Sequence, residues 1–202
     1  MTPVRTILSY RQILMFSCLV LISQAAQAGN LFHVGDVMAR DWSDLFDRFL
    51  EEKVSIYVTS EEHEDFVVFW LKDGYPEGFA KITYAESIQR NMESAVEKAI
   101  SYSGIAKENQ ADVSKEIGCF KARGRFQNSD CYSSSLRFKF FSNNSGRQTD
   151  LILGVEEEYP HDGWRRIYFG EAQQRRLLAM IKRIPEAFVQ AHRNRNKEKL
   201  FN

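Results

Sequence analysis

The chain of 202 residues is short of the residues that usually announce a chemistry: three cysteines, four histidines, four prolines, and no surplus of either charge, with 27 basic against 27 acidic side chains. Each shortage excludes something. Balanced charge names no partner, and 44% hydrophobic with 13% aromatic residues places the chain outside the disordered, collagen-like and coiled-coil classes. No cysteine pair has the C-x-x-C spacing of a redox centre, and no serine lies in the G-x-S-x-G elbow that exposes a nucleophile. No loop alternates its ligands around a glycine as calcium loops do, and no His/Cys set has zinc spacing. No internal repeat and no Pro/Ser-rich linker divides the sequence. No cofactor is expected.

What is present begins with an export pattern. Arg5 and Arg11 stand in an N-terminal stretch without acids, Ile13 to Ile22 is almost wholly apolar, and Ala26-Gln27-Ala28 offers small residues at the two recognition positions before a cut. The apolar run breaks at Ser23-Gln24 after about half the ~20 residues a spanning helix needs. Residues 1–28 therefore read as a cleaved signal peptide and residues 29–202 as one globular domain, periplasmic or secreted, with no transmembrane segment after cleavage. An acylated Cys18 fits poorly, because Met15-Phe16-Ser17 precedes it and the run stays apolar beyond it. Loss of Arg5 and Arg11 leaves the mature chain at a net charge of −2. Cys119 and Cys131 remain, and in an oxidising compartment they are expected to pair. Such a bridge closes a loop of about a dozen residues and stabilises by roughly 3 kcal/mol on chain-entropy grounds.

Along the mature chain, Asp41 is read as the cap of an amphipathic helix in which Trp42, Leu45, Phe46, Phe49 and Leu50 recur at helical spacing. Lys53 to Ser60 and Asp65 to Lys72, rich in β-branched and aromatic residues, read as an antiparallel hairpin joined by Glu61 to Glu64. The second strand is apolar on both faces, as a strand buried on both sides would be. After the Gly74 to Gly78 break, Thr83 and Glu86 suggest a capping box. The helix that follows carries Ile88, Met92, Ala95, Val96 and Ala99 on one face and is expected to stop at Gly104. Four strands, near 116–123, 131–141, 149–157 and 164–169, are separated by turn residues in the order of a meander. A last helix starts near Glu171 and meets Pro185, which should kink or end it, before a charged tail from about residue 193. The fold class is α+β: a mostly antiparallel sheet of about six strands with about three helices packed mainly on one face.

Three groups of residues invite a functional reading. Glu61, Glu62, His63, Glu64 and Asp65 crowd carboxylates into one short loop, but consecutive side chains in extended chain point to opposite sides, which favours a solvated acidic turn over a metal site. His161 and Asp162 could orient a general base, yet no activated serine or thiol accompanies them. Lys121, Arg123 and Arg125, and farther on Arg137 and Lys139, alternate with apolar residues, so period two sends the cations to one face and the aromatics to the other. A nucleic-acid site needs aromatics beside the cations, and here they point away. Charge is also segregated along the chain: residues 36–65 hold ten acids against three basic residues, while only three acids follow Gly170 among eight basic residues. That separation can steer association with another macromolecule, or draw the two ends of one fold together.

The sequence thus points to a non-enzymatic interaction module of the cell envelope, such as an inhibitor, immunity-type protein or accessory subunit with a protein partner. Arg123, Arg125, Arg137 and Lys139 would form one docking face, and Glu61, Glu62, Glu64 and Asp65 a second, acidic one. The alternative is a secreted hydrolase using His161 and Asp162 with a serine or water nucleophile.

Overall fold

Alternation of apolar side chains builds the first strands. In the computed structural model, which describes residues 31–43, 46–61, 63–71, 80–121, 135–157 and 163–198, β1 (Phe32–Ser43) buries Val34, Val37 and Ala39, and β2 (Arg48–Glu61) buries Val54, Ile56 and Val58 on the same side. β3 (Glu64–Leu71) adds Val67, Phe69 and Leu71, and the short β4 (Ala80–Thr83) adds Ala80 and Ile82. α1 (Glu86–Glu108) carries Met92, Ala95, Val96, Ala99 and Ala106 into the core and packs on the strands that follow it rather than on those before it. A second meander follows, β5 (Val113–Lys121), β6 (Ser135–Asn143), β7 (Gln148–Glu157) and β8 (Gly163–Gly170), and the chain closes with α2 (Glu171–Glu198). Phe120, Leu136, Phe138, Phe140, Leu151, Leu153, Ile167 and Phe169 complete one core with Leu177, Ile181, Ile184 and Phe188 of α2.

All eight strands form one antiparallel sheet in the order β4-β3-β2-β1-β8-β7-β6-β5. The unit of four strands and a helix therefore occurs twice, and the two meanders meet where β1 pairs β8 through only Arg40↔Tyr168 and Asp41↔Ile167. The helices extend this narrow junction, since α1 packs on α2. Glu171, at the start of α2, accepts hydrogen bonds from Lys107 of α1 and from Arg175. Those two cations hold the Glu171 carboxyl below its ordinary value, Lys107 foremost. The outer strands β4 and β5 come within 8 Å of each other between Cα atoms, so the sheet is strongly coiled rather than flat.

The class is α+β, with eight strands and two helices among the described residues, and the difference from the sequence reading has local causes. The helix expected from Asp41 is instead the β1–β2 hairpin, in which Trp42 faces Phe49 and Asp41 faces Leu50. Residues 42 and 49 lie two turns apart on a helix and directly opposite in this hairpin, so one apolar pattern serves both. The neighbouring alternation at 54, 56 and 58 commits the segment to strand. Thr83 belongs to β4 rather than to a capping box: Ala85 occupies the N-cap, with no side-chain cap, and Gln89 N–H donates to Ala85 O at 3.0 Å. α1 runs past Gly104, where an added Cβ would meet nothing within 4 Å, and ends at Asn109, which bonds Ile105 O through both its backbone and its side chain. α2 continues through Pro185 as a single helix; the turns on either side are held by Ile181, Ile184, Ala187 and Phe188 in the core.

Candidate functional site

The alternation that places one set of strand residues under the helices places the other set on the opposite face, which no helix covers among the described residues. Cross-strand register then assembles residues far apart in sequence. Glu116, Lys139, Ile152, Tyr168, Arg40 and Glu51 stand opposite one another in a single row across β5, β6, β7, β8, β1 and β2. Two residues along, Cys119, Arg137, Gly154 and Arg166 form a parallel row. The face thus has an apolar and aromatic centre, cations on both sides of it, and a carboxylate at each outer end.

Packing on this face is by rings and ions. Trp42 meets Phe49 edge-on at 5.1 Å, and Phe49 meets Tyr168 edge-on at 5.0 Å, a favoured geometry for aromatic quadrupoles. Arg40 lies 5.0 Å over the Phe49 ring and binds the carboxylate of Asp150, whose side chain is only 1% exposed. Gln148 donates to the other oxygen of Asp150 at 3.2 Å. This ion pair spans β1 and β7, across the junction of the two meanders. Met38, Trp42 and Phe46 remain open to solvent, with Arg48 over Phe46. Near the start of β1, Asp36 takes hydrogen bonds from Ser55 and His33 and sits beside Lys53; the Ser55 hydroxyl does most to hold its carboxyl below the ordinary value.

Of the cations singled out in the sequence, Arg137 and Lys139 lie on this face, and Phe138 and Phe140 are buried beneath it. Arg137 reaches Glu116 at 3.7 Å. Arg123 and Arg125 lie outside the described residues, as do Cys131, His161 and Asp162. Cys119 stands directly opposite Arg137. Arg166 and Arg40, absent from the sequence reading, join the group through β8 and β1; the register of β7 with β8 places Arg166, and only the pairing of β1 with β8 could have revealed Arg40.

The acidic loop does not gather its carboxylates. Glu61 pairs Glu64 across the hairpin and accepts from Lys81 of β4, while Asp65 accepts from Ser60; Glu62 lies outside the described residues. His192 of α2, half exposed, sets Nε2 at 3.1 Å from Ser60 Oγ and 3.3 Å from Asp65 Oδ1. This brings together serine, histidine and aspartate, but in the wrong order for nucleophilic catalysis. Ser60 gives its proton to Asp65, and both oxygens meet the same ring nitrogen, whereas a triad needs the carboxylate on the far nitrogen. The cluster acts as a clasp: Arg195 donates to Ser60 O at 3.1 Å, and Phe188 stacks 4.5 Å from Tyr84. Burial, foremost, raises the Tyr84 phenol above its ordinary value. Part of the segregated charge is therefore spent within the fold, joining the basic end of α2 to the acidic β2–β3 hairpin. Among the described residues no cluster of three His, Cys, Asp or Glu side chains could hold a metal ion.

In comparisons with known proteins, no family model, no curated protein and no solved structure matches this chain.

Proposed function

We propose that this chain is an exported, non-enzymatic interaction module of the cell envelope, an inhibitor, immunity-type or accessory protein, and that it docks through the helix-free face of its sheet. The observation that carries the reading is the composition of that face: exposed Met38, Trp42 and Phe46, half-buried Phe49 and Tyr168, and cations interleaved with them. Aromatic side chains on a rigid sheet lose little conformational entropy on docking, and aromatic and arginine residues dominate binding energy at protein interfaces. The Ser60, Asp65 and His192 group supports a structural clasp rather than hydrolysis. Export and the Cys119–Cys131 bridge belong to the same proposal, and the intact mass before and after reduction reads the bridge directly.

The experiment is a cross-linked pull-down from envelope extract of the source cells with tagged residues 29–202. A stoichiometric protein partner is expected, and its recovery should fall with charge reversal at Arg137 and Lys139. A blank across several growth conditions, with turnover in hydrolase screens, would overturn the reading.

A further inference from the structure

Resting on the interaction reading, we infer that the two rows crossing β5 to β2 select one class of partner: an extended acidic polypeptide segment laid along the strands over Gly154 and Ile152. The centre of the site is low and apolar. Gly154 has no side chain, and Ile152 is 8% exposed, so a chain can approach the sheet there. Arg166 and Arg137 flank Gly154, and Lys139 and Arg40 stand on either side of Ile152 and Tyr168. Arg40 is engaged by Asp150 and Arg137 by Glu116, whereas Lys139 and Arg166 have no acidic partner among the described residues. Neighbouring strands are ~4.8 Å apart, so Arg137 and Arg166 face each other across roughly 10 Å, room for one extended chain whose carboxylates reach both sides. Guanidinium groups suit carboxylates because they donate two parallel hydrogen bonds.

The outer carboxylates decide between partners. Among the described residues Glu116 and Glu51 stand at the two ends of the first row, both exposed, about five strand spacings or roughly 24 Å apart along the sheet. A broad anionic surface, a bilayer or a nucleic-acid duplex, would meet both acids and be repelled. A narrow acidic segment meets only the cations between them, and the acids reject its displacement sideways.

Site-specific photo-crosslinking tests this. The full mature chain carries p-benzoylphenylalanine in place of Trp42 on the helix-free face, or in place of Arg176 on the exposed side of α2, and is irradiated in envelope extract. The expected result is an adduct from position 42, absent from position 176, whose cross-linked peptide is acidic. Adding Lys139→Glu with Arg166→Glu should reduce the adduct at least tenfold, at an unchanged melting temperature. If that pair fails to fold, Lys139→Gln with Arg166→Gln should reduce it at least threefold. A neutral or basic peptide, a lipid, a nucleic acid or a second copy of this chain at position 42 overturns the acidic-segment assignment. An adduct from position 176 alone overturns this face and leaves the interaction reading standing, whereas no adduct from either position removes both.

Discussion

The two halves of the sheet share a plan and differ in proportion. β1 and β2 run 12 and 14 residues beside a β4 of 4, whereas β5 to β8 run 9, 9, 10 and 8 residues. In the second half β5, β6 and β7, and the turn between β6 and β7, are fitted to α1. The Gly118 Cα approaches so closely that an added Cβ would stand 3.1 Å from Ala95 of α1, and at Gly146, with φ +73°, it would stand 2.1 Å from Ala106 O. In the first half the end of the β1–β2 hairpin stands open to solvent, where Trp42 packs on Phe49, Arg40 lies over Phe49 and Arg48 over Phe46. The half with strands of similar length is tightly packed against α1, and the unequal half supplies exposed aromatic surface.

The largest expected effect breaks the tight half. Gly146→Ala must relieve both a left-handed backbone and a backbone clash with the end of α1, and should cost about 3 kcal/mol or more in denaturant unfolding. A loss below about 1 kcal/mol would mean that the β6–β7 turn yields as freely as the exposed end of the β1–β2 hairpin. Next comes the junction between the halves. Arg40→Ala strands the Asp150 carboxylate in its buried site, a change that costs about 2 kcal/mol once the exposure of Arg40 is allowed for. Asp150→Asn should recover part of that loss in the Arg40→Ala background, and a strictly additive cycle would show that the pair does not couple the meanders. The smallest effect concerns acid. Glu171 and Asp36, one in each half, have folded-state carboxyls below their ordinary values. Each adds stability above the ordinary carboxylate range, lost as pH falls through the lowered folded value. Glu171→Gln should flatten the acid side of the stability profile by under about 1 kcal/mol, because the pair is partly exposed and screened. An unchanged profile would remove Glu171 as a link between α1 and α2.

The second half was the more legible in sequence, for a physical reason. Its strands are bounded by turn residues and its core positions alternate cleanly at 136, 138 and 140 and at 151 and 153, so period two alone finds four strands and their meander. The β2–β3 hairpin was legible through its β-branched runs. β4 was not, because four residues leave no period to read, and β1 was partly hidden by the helical spacing of Trp42, Phe46 and Phe49. The face itself was half legible: alternation sent Arg137 and Lys139 outward, but their neighbours Arg166, Tyr168 and Arg40 depend on which strands pair, and alternation does not state pairing. The clasp of Ser60, Asp65 and His192 carried no local signal at all.

The junction of two residue pairs has a consequence for how the chain is made. β1 is synthesised first and finds its second neighbour only when β8 exists, more than a hundred residues later along the sequence. Until then one side of a 12-residue strand stands unpaired, with Met38 and Trp42 on its surface, as an open template for other chains. The topology thus sets a dependence on synthesis: the pairing that joins β1 to the second meander is available only once β8 has been made, and a chain interrupted before residue 163 leaves β1 with β2 as its one strand neighbour.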